Sequence, residues 1–197
     1  MRLFVAIDIE DAIRERIARF LEGIRGFAPE ARWVKPESLH ITLKFIGEQS
    51  EEAVPKIKQA MKEIRRQEVE LRFRGHGFFP NARRPRIFWI GVEAGENLAA
   101  LAGEIDRSLA GLGVPKEEHS YNPHITLARM RGSQARGRNG KRNGDDDLRR
   151  LQEKLAALSS PEFGEMTARE FFLYQSQSAP GASKYTKLER FALSSPD

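Results

Sequence analysis

The word HITL occurs twice, at residues 40–43 and 124–127, and in each copy polar and apolar side chains alternate. A strand projects successive side chains to opposite faces, so the alternation puts His40, Thr42 and Lys44 on one face and Ile41, Leu43 and Phe45 on the other. The same parity separates His124 and Thr126 from Ile125 and Leu127. The two histidines are 84 positions apart (124 − 40), as are the pairs Leu3-Phe4 and Ile87-Phe88. Features that recur at one offset constrain the chain to an internal repeat, about 1–84 and 85–197, within a single two-lobed domain of residues 1–197. If the halves are related by a pseudo-two-fold, the two His-Thr pairs face each other across one groove.

The residues around each copy follow the same order of elements. LFVAIDI has the pattern of a buried strand, and Ile13, Ile17, Phe20, Leu21 and Ile24 keep helical spacing behind an acidic first turn. Pro36 breaks any helix before the first HITL strand. Val54, Ile57, Met61 and Ile64 mark a second helix, followed by the strand VELRFRGHGFF. The order then restarts with the strand IFWIGVE, a helix on Leu98, Leu101, Ile105 and Leu109, and the strand HITLARM. A helix on Leu148, Leu151, Leu155 and Leu158 comes next, and FGEMTAREFFLY and YTKLERFAL close the chain as strands. The second copy is longer, and the surplus falls in RGSQARGRNGKRNGDDD. With many glycines and charges and no apolar period, 131–147 is expected to be a flexible basic loop, with Asp145–Asp147 offering a cap to the next helix. Its cations can guide a polyanion or simply solvate an insertion; the residues leave both open.

A net charge of +5 and a pI near 9.6 favour polyanionic partners, although ordinary solubility charge explains the same excess. The absence of cysteine rules out disulfides, thiolate metal sites and a cysteine nucleophile. No apolar run approaches the roughly 20 residues of a membrane span, and the N-terminus lacks a signal-peptide pattern. A cytoplasmic location without membrane attachment is therefore expected. There is neither a G-x-S-x-G elbow nor a P-loop. Two histidines with no carboxylate on either His-Thr face are too few ligands for zinc, so no metal site is expected.

Two opposed imidazoles suit displacement at phosphorus. With ordinary pKa values near 6.5, one is able to accept a proton while the other donates one. Each threonine, two residues further along the same face, can hold a non-bridging oxygen through its hydroxyl. The structural alternative is that each histidine merely satisfies a backbone carbonyl. His76 and His119 have the setting of strand-edge or loop residues. Phe78, Phe79 and Trp89 offer stacking surfaces for bases, yet aromatic residues in strands more often fill a core.

These motifs, together with RLFVAIDI, RWVKPESLHITLKFIGE, GFFPNARRPRIFWIGV, YNPHITLAR and LYQSQSAPGASKYTKLERFAL, resemble the 2H phosphoesterases over nearly the whole chain. Within that superfamily the likeness is to the RNA 2′,3′-cyclic phosphodiesterases, also called 2′-5′ RNA ligases. The resemblance implies an α+β fold of two pseudo-symmetric lobes, with antiparallel-rich sheets facing a central cleft and helices outside. It also implies that the chain crosses between lobes. His40 is then the proton donor and His124 the proton acceptor, while Thr42, Thr126 and Arg129 hold the phosphate. Alternation alone sets Arg129 on the Ile125 face, so its role requires the strand to end or bulge after Ala128. The implied reaction is hydrolysis of RNA 2′,3′-cyclic phosphate ends to 2′-phosphomonoesters by a monomer, with no metal or organic cofactor. The same residues also suit 2′-5′ RNA ligation, opening of a small cyclic nucleotide, or an RNA-binding module without turnover.

Overall fold

The computed structural model describes residues 1–130, 143–179 and 182–195. Among the described residues nine strands and four α-helices follow in the order β1 (Arg2–Asp8), α1 (Asp11–Ile24), β2 (Arg32–Trp33), β3 (His40–Glu48), α2 (Val54–Lys62), β4 (Val69–Phe79), β5 (Ile87–Ala94), α3 (Glu96–Ala110), β6 (His124–Arg129), α4 (Asn143–Ala156), β7 (Glu162–Ala168), β8 (Glu170–Ala179) and β9 (Ala182–Ala192). The strands form two antiparallel sheets, one of four in the order β3-β1-β8-β9 and one of five in the order β2-β6-β5-β4-β7.

Neither sheet belongs to one half of the sequence. β4 leaves the first half to pair with β5, and β8 returns from the second half to pair with β1. The helices cross as well. α1 packs on β7 and α4 beneath the five-stranded sheet, whereas α3 packs on β3 and α2 beneath the four-stranded one. On α1 the buried residues Ile13, Ile17, Leu21 and Ile24 form the expected stripe. The Arg16 guanidinium at its side donates to the Phe163 carbonyl at 3.0 Å and pins the helix to β7. FGEMTAREFFLY, expected as one strand, is two: the chain changes sheets at Arg169, between β7 and β8.

β1 is buried from Leu3 to Ile7 because it is central and covered on both faces. Its helix-side residues join the main core. Phe4 and Ala6, on the other face, join Phe172 and Tyr174 in a smaller cluster on which Tyr185 packs. The expected loop at 131–147 lies outside the described residues from 131 to 142, while positions 143–147 belong to α4 and not to a loop. No described helix is long and apolar enough to cross a membrane.

Candidate active site

The two HITL strands meet where the sheets meet. β3 is an edge strand of the four-stranded sheet and packs beside β6, whose outer edge is met toward its end by the two residues of β2 and by the Val34 amide on the Leu127 carbonyl. Ile41, Leu43, Ile125 and Leu127 are buried, and His40, Thr42, His124 and Thr126 are half-buried on the opposite faces. A hydrogen bond ties the two motifs together: the Tyr121 hydroxyl, three residues before His124, donates to the Thr42 carbonyl at 3.0 Å.

Each imidazole is oriented from behind in the same way. The Nδ1 of His40 lies 2.7 Å from the Ser38 carbonyl, and that of His124 lies 2.7 Å from the Asn122 carbonyl. A carbonyl can only accept, so Nδ1 carries the hydrogen and Nε2 is the nitrogen left for proton exchange. The carbonyl contacts envisaged as a purely structural role thus exist, yet each engages one nitrogen and frees the other. Rings hold both imidazoles in place. His40 lies 4.9 Å from Phe4 and edge-on to Tyr185 at 5.2 Å; His124 lies edge-on to Phe79 at 5.0 Å and 6.4 Å from Trp89. Of the three aromatic residues considered for stacking, Phe78 packs on the core and the other two flank His124. Trp89 lies flat over Gly77, where a Cβ would come within 2.3 Å of the indole, so only glycine admits this ring.

A bulge recurs in both motifs and decides what else reaches the site. Val5 pairs with Lys44 and Ala6 with Thr42, so Leu43 is the extra residue; Phe88 pairs with Ala128 and Trp89 with Thr126, so Leu127 is the extra residue. Alternation is reversed beyond each bulge. Arg129 therefore emerges, exposed, on the His124–Thr126 face, and the irregularity that this requires lies at Leu127, one residue earlier than expected. The same reversal corrects the placement of Lys44. It is buried on the helix side, bonded to Asp106 at 2.7 Å, Glu117 at 2.9 Å and the Pro115 carbonyl at 2.7 Å. Phe45 takes the site face instead, 60% exposed, at the position matching Arg129. Strict period-two counting hid Phe45; the 84-residue offset from Arg129 could have found it.

Cross-strand pairing also corrects the register of the repeat. Asp8 stands opposite His40, and Gly91 stands opposite His124, so the first strands of the two halves match at an offset of 83 (91 − 8), not 84. Residues directly opposite in an antiparallel pair share a face. His40 therefore has a carboxylate beside it and His124 has a glycine. Burial alone would raise the Asp8 carboxyl, but bonds from Lys187 and Arg14 outweigh it and hold it below the ordinary carboxylate range. Burial pushes His40 down from the ordinary imidazole value; the Ser38 carbonyl and Asp8 pull it back up, and the charges of Arg129 and His124 add to the depression. His124 is also pushed down by burial, opposed only by the Asn122 carbonyl. The charges of His124 and Arg129 thus bear on His40. His76 lies within β4, pushed down by burial, 6.0 Å from the Phe88 ring, and His119 is exposed; neither joins the pair.

Paired imidazoles, flanking hydroxyls and a nearby guanidinium, on two strands contributed by a repeated α+β unit, define the class of two-histidine phosphoesterases. The sequence model of the LigT like Phosphoesterase family matches residues 7–89 and again 90–185, and the chain belongs to that family. It is 35% identical over 191 residues to the RNA 2′,3′-cyclic phosphodiesterase of Archaeoglobus fulgidus, covering 97% of this chain and 99% of that one. Identity to the enzyme of the same name from Methanothermobacter thermautotrophicus is 31%, over 98% and 99% of the two chains. Among solved structures, a Thermus thermophilus protein superposes with a TM-score of 0.77 at 28% identity, covering all of both chains. Escherichia coli LigT in complex with 3′-AMP superposes with 0.76 at 29% identity, over 98% of this chain and 97% of that one.

Proposed function

We propose that the protein hydrolyses RNA 2′,3′-cyclic phosphate ends to 2′-phosphomonoesters. His124 accepts a proton from water at Nε2, the water oxygen bonds to phosphorus, and the bond from phosphorus to O3′ breaks as His40 protonates the departing oxygen. Thr42, Thr126 and Arg129 hold the non-bridging oxygens. The observation that carries this reading is the arrangement of the imidazoles: each is locked at Nδ1, and their strands pack side by side, tied by the Tyr121 bond to the Thr42 carbonyl. The acid and base roles are supported by the neighbours, since Asp8 favours the protonated form of His40 and nothing comparable stands opposite His124. One chain supplies both motifs, so the reading is of a monomer. The names of the Archaeoglobus and Methanothermobacter relatives point to the same substrate.

The test is to incubate the protein with an RNA oligonucleotide ending in a 2′,3′-cyclic phosphate and to identify the new end by chromatography. A 2′-phosphate beside a free 3′-hydroxyl is expected. A 3′-phosphate would reverse the assigned leaving group, and binding without any new end would reduce the protein to an RNA-binding module.

A further inference from the structure

The five-stranded sheet ends on its cleft side in a strand of two residues. In β2, Arg32 pairs with Arg129 and Trp33 with Ala128. Trp33 turns into the core, where its ring meets Phe88 at 6.0 Å and its Nε1 donates to the Ala28 carbonyl at 2.9 Å. Arg32, the preceding residue, therefore turns to the opposite face, the one that carries Arg129, Thr126 and His124. Two arginines thus stand directly opposite each other on the site face, both exposed. Neither has an ion-pair or hydrogen-bond partner among the described residues.

Like charges directly opposite across a ladder destabilise it. Elsewhere on the two sheets the chain avoids this. Arg74 is matched by Glu93, Arg72 by Glu162 and Glu165, and Arg190 by Glu170. Arg32 and Arg129 are unmatched at the one place where an anion is required, and a guanidinium fork fits phosphate oxygens. Arg129 shares its face with His124 and Thr126 and so belongs with the reacting phosphate. Arg32 stands one strand spacing further out, roughly 4.8 Å. That displacement suits a second phosphate joined to the first through one nucleoside. Phe45, exposed on the facing strand at the position matching Arg129, offers the face on which that nucleoside's base can stack.

We infer that Arg32 seats the phosphodiester on the 5′ side of the terminal nucleotide, so that the site is shaped for the end of an RNA strand rather than for a free cyclic mononucleotide. The inference rests on the proposed hydrolysis for its choice of substrate, but the seat itself is measurable without turnover. The same phosphate chemistry comes from a strand or from a 5′-phosphorylated mononucleotide, and the substrates separate the two.

Three substrates with the same terminal base are compared in wild type and Arg32→Ala: a nucleoside 2′,3′-cyclic phosphate with a free 5′-hydroxyl, its 5′-phosphorylated form, and a short RNA with the same cyclic end. The expected result is that Arg32→Ala raises KM for the RNA about tenfold with kcat unchanged, and leaves the 5′-hydroxyl mononucleotide untouched. A tenfold change corresponds to about 1.4 kcal/mol, within the range for a charge-assisted contact. The 5′-phosphorylated mononucleotide is expected to lose about as much as the RNA, because the same guanidinium meets its phosphate. Binding of an uncleavable RNA ending in a 2′-phosphate should lose about 0.7 from its logarithmic salt slope in Arg32→Ala and recover it in Arg32→Lys, as the removal and return of one phosphate contact require. An equal loss on all three substrates, no loss on any, or an unchanged salt slope would overturn the seat. A wild-type KM for the phosphorylated mononucleotide as low as that for the RNA would overturn the strand as its source. If no substrate is turned over but the salt slope responds as stated, the proposed hydrolysis fails and the seat stands.

Discussion

The half-site around His40 and the half-site around His124 share a backbone plan and differ in the residues beside it. Both have a half-buried His and Thr, a carbonyl behind Nδ1, and a leucine bulge after the threonine. Opposite the histidine, however, one has Asp8 and the other Gly91. Past the bulge, one turns in Lys44 and turns out Phe45, while the other turns in Ala128 and turns out Arg129. A recurring backbone plan thus orients both imidazoles alike, and the unmatched side chains beside them give the proposed acid and the proposed base their different settings. The shared features predict symmetric failures and the unshared ones predict asymmetric failures.

The largest expected effect is the symmetric one. His40→Ala and His124→Ala each remove a general catalyst and should each lower kcat by about 10²- to 10⁴-fold, with the thermal transition close to that of wild type. Steady-state rates alongside thermal melts check this. A variant with near-normal turnover would show that its histidine holds the strand and transfers no proton.

The next concerns Lys44, whose counterpart Ala128 is also buried but uncharged. Burial alone would lower the Lys44 ammonium, but Asp106 and Glu117 outweigh it and keep the group charged. Lys44→Ala leaves Asp106 with only the Glu117 amide and should destabilise the fold by about 3 kcal/mol, the usual cost of breaking a buried pair. Denaturant unfolding measures it, and a loss under ~1 kcal/mol would mean that the pair is solvated enough to be dispensable. A smaller asymmetry follows at Phe45. Phe45→Ala should raise KM for an RNA end by about tenfold, the scale of one base stacked on an aromatic ring, while leaving stability unchanged because the ring is exposed. An unchanged KM would place the base elsewhere, over the cluster of Phe4, Tyr174 and Tyr185 for example.

Much of this was legible in the sequence. The order of strands and helices follows from apolar periods, and the histidine pair follows from a repeated word whose parity is strict as far as the threonine. What was not legible lies past that point. A bulge inserts one residue without any mark in the letters, and it reversed the facing of Lys44 and Phe45 while bringing Arg129 to the site. The offset of 84 matched Leu3-Phe4 to Ile87-Phe88 by letter, whereas pairing matches Phe4 to Ile87, because Phe45 and Arg129 are their respective partners. That single step hid Asp8, since its matching position by letter count is Val92, a buried core residue, and by pairing it is Gly91. The break at Arg169 was equally silent, because a strand that changes sheets keeps its composition.

The smallest effect is the most diagnostic, because it separates acid from base. The charged and titratable groups around His40 are Asp8 on β1, Arg14 on α1, Tyr174 on β8, Tyr185 and Lys187 on β9, and His124 and Arg129 on β6. Burial keeps the Tyr174 hydroxyl neutral, so Asp8 is the anion of that group. Both imidazoles are depressed, so in the free protein both limbs of the kcat/KM profile should fall below the ordinary value of about 6.5. Asp8→Asn removes the carboxylate that favours imidazolium and leaves the charges of Arg14 and Lys187 unopposed, so His40 must fall further. The limb on which rate declines with rising pH, set by the acid, should move to lower pH, and the limb set by His124 should stay. At neutral pH the loss is several-fold, and it should disappear at a pH below the shifted limb. Titration of the two imidazoles by NMR reads the same quantity without substrate: His40 should move and His124 should not. Movement of both rings together would mean that Asp8 supports the fold of the whole cleft, and movement of His124 alone would exchange the acid and base roles.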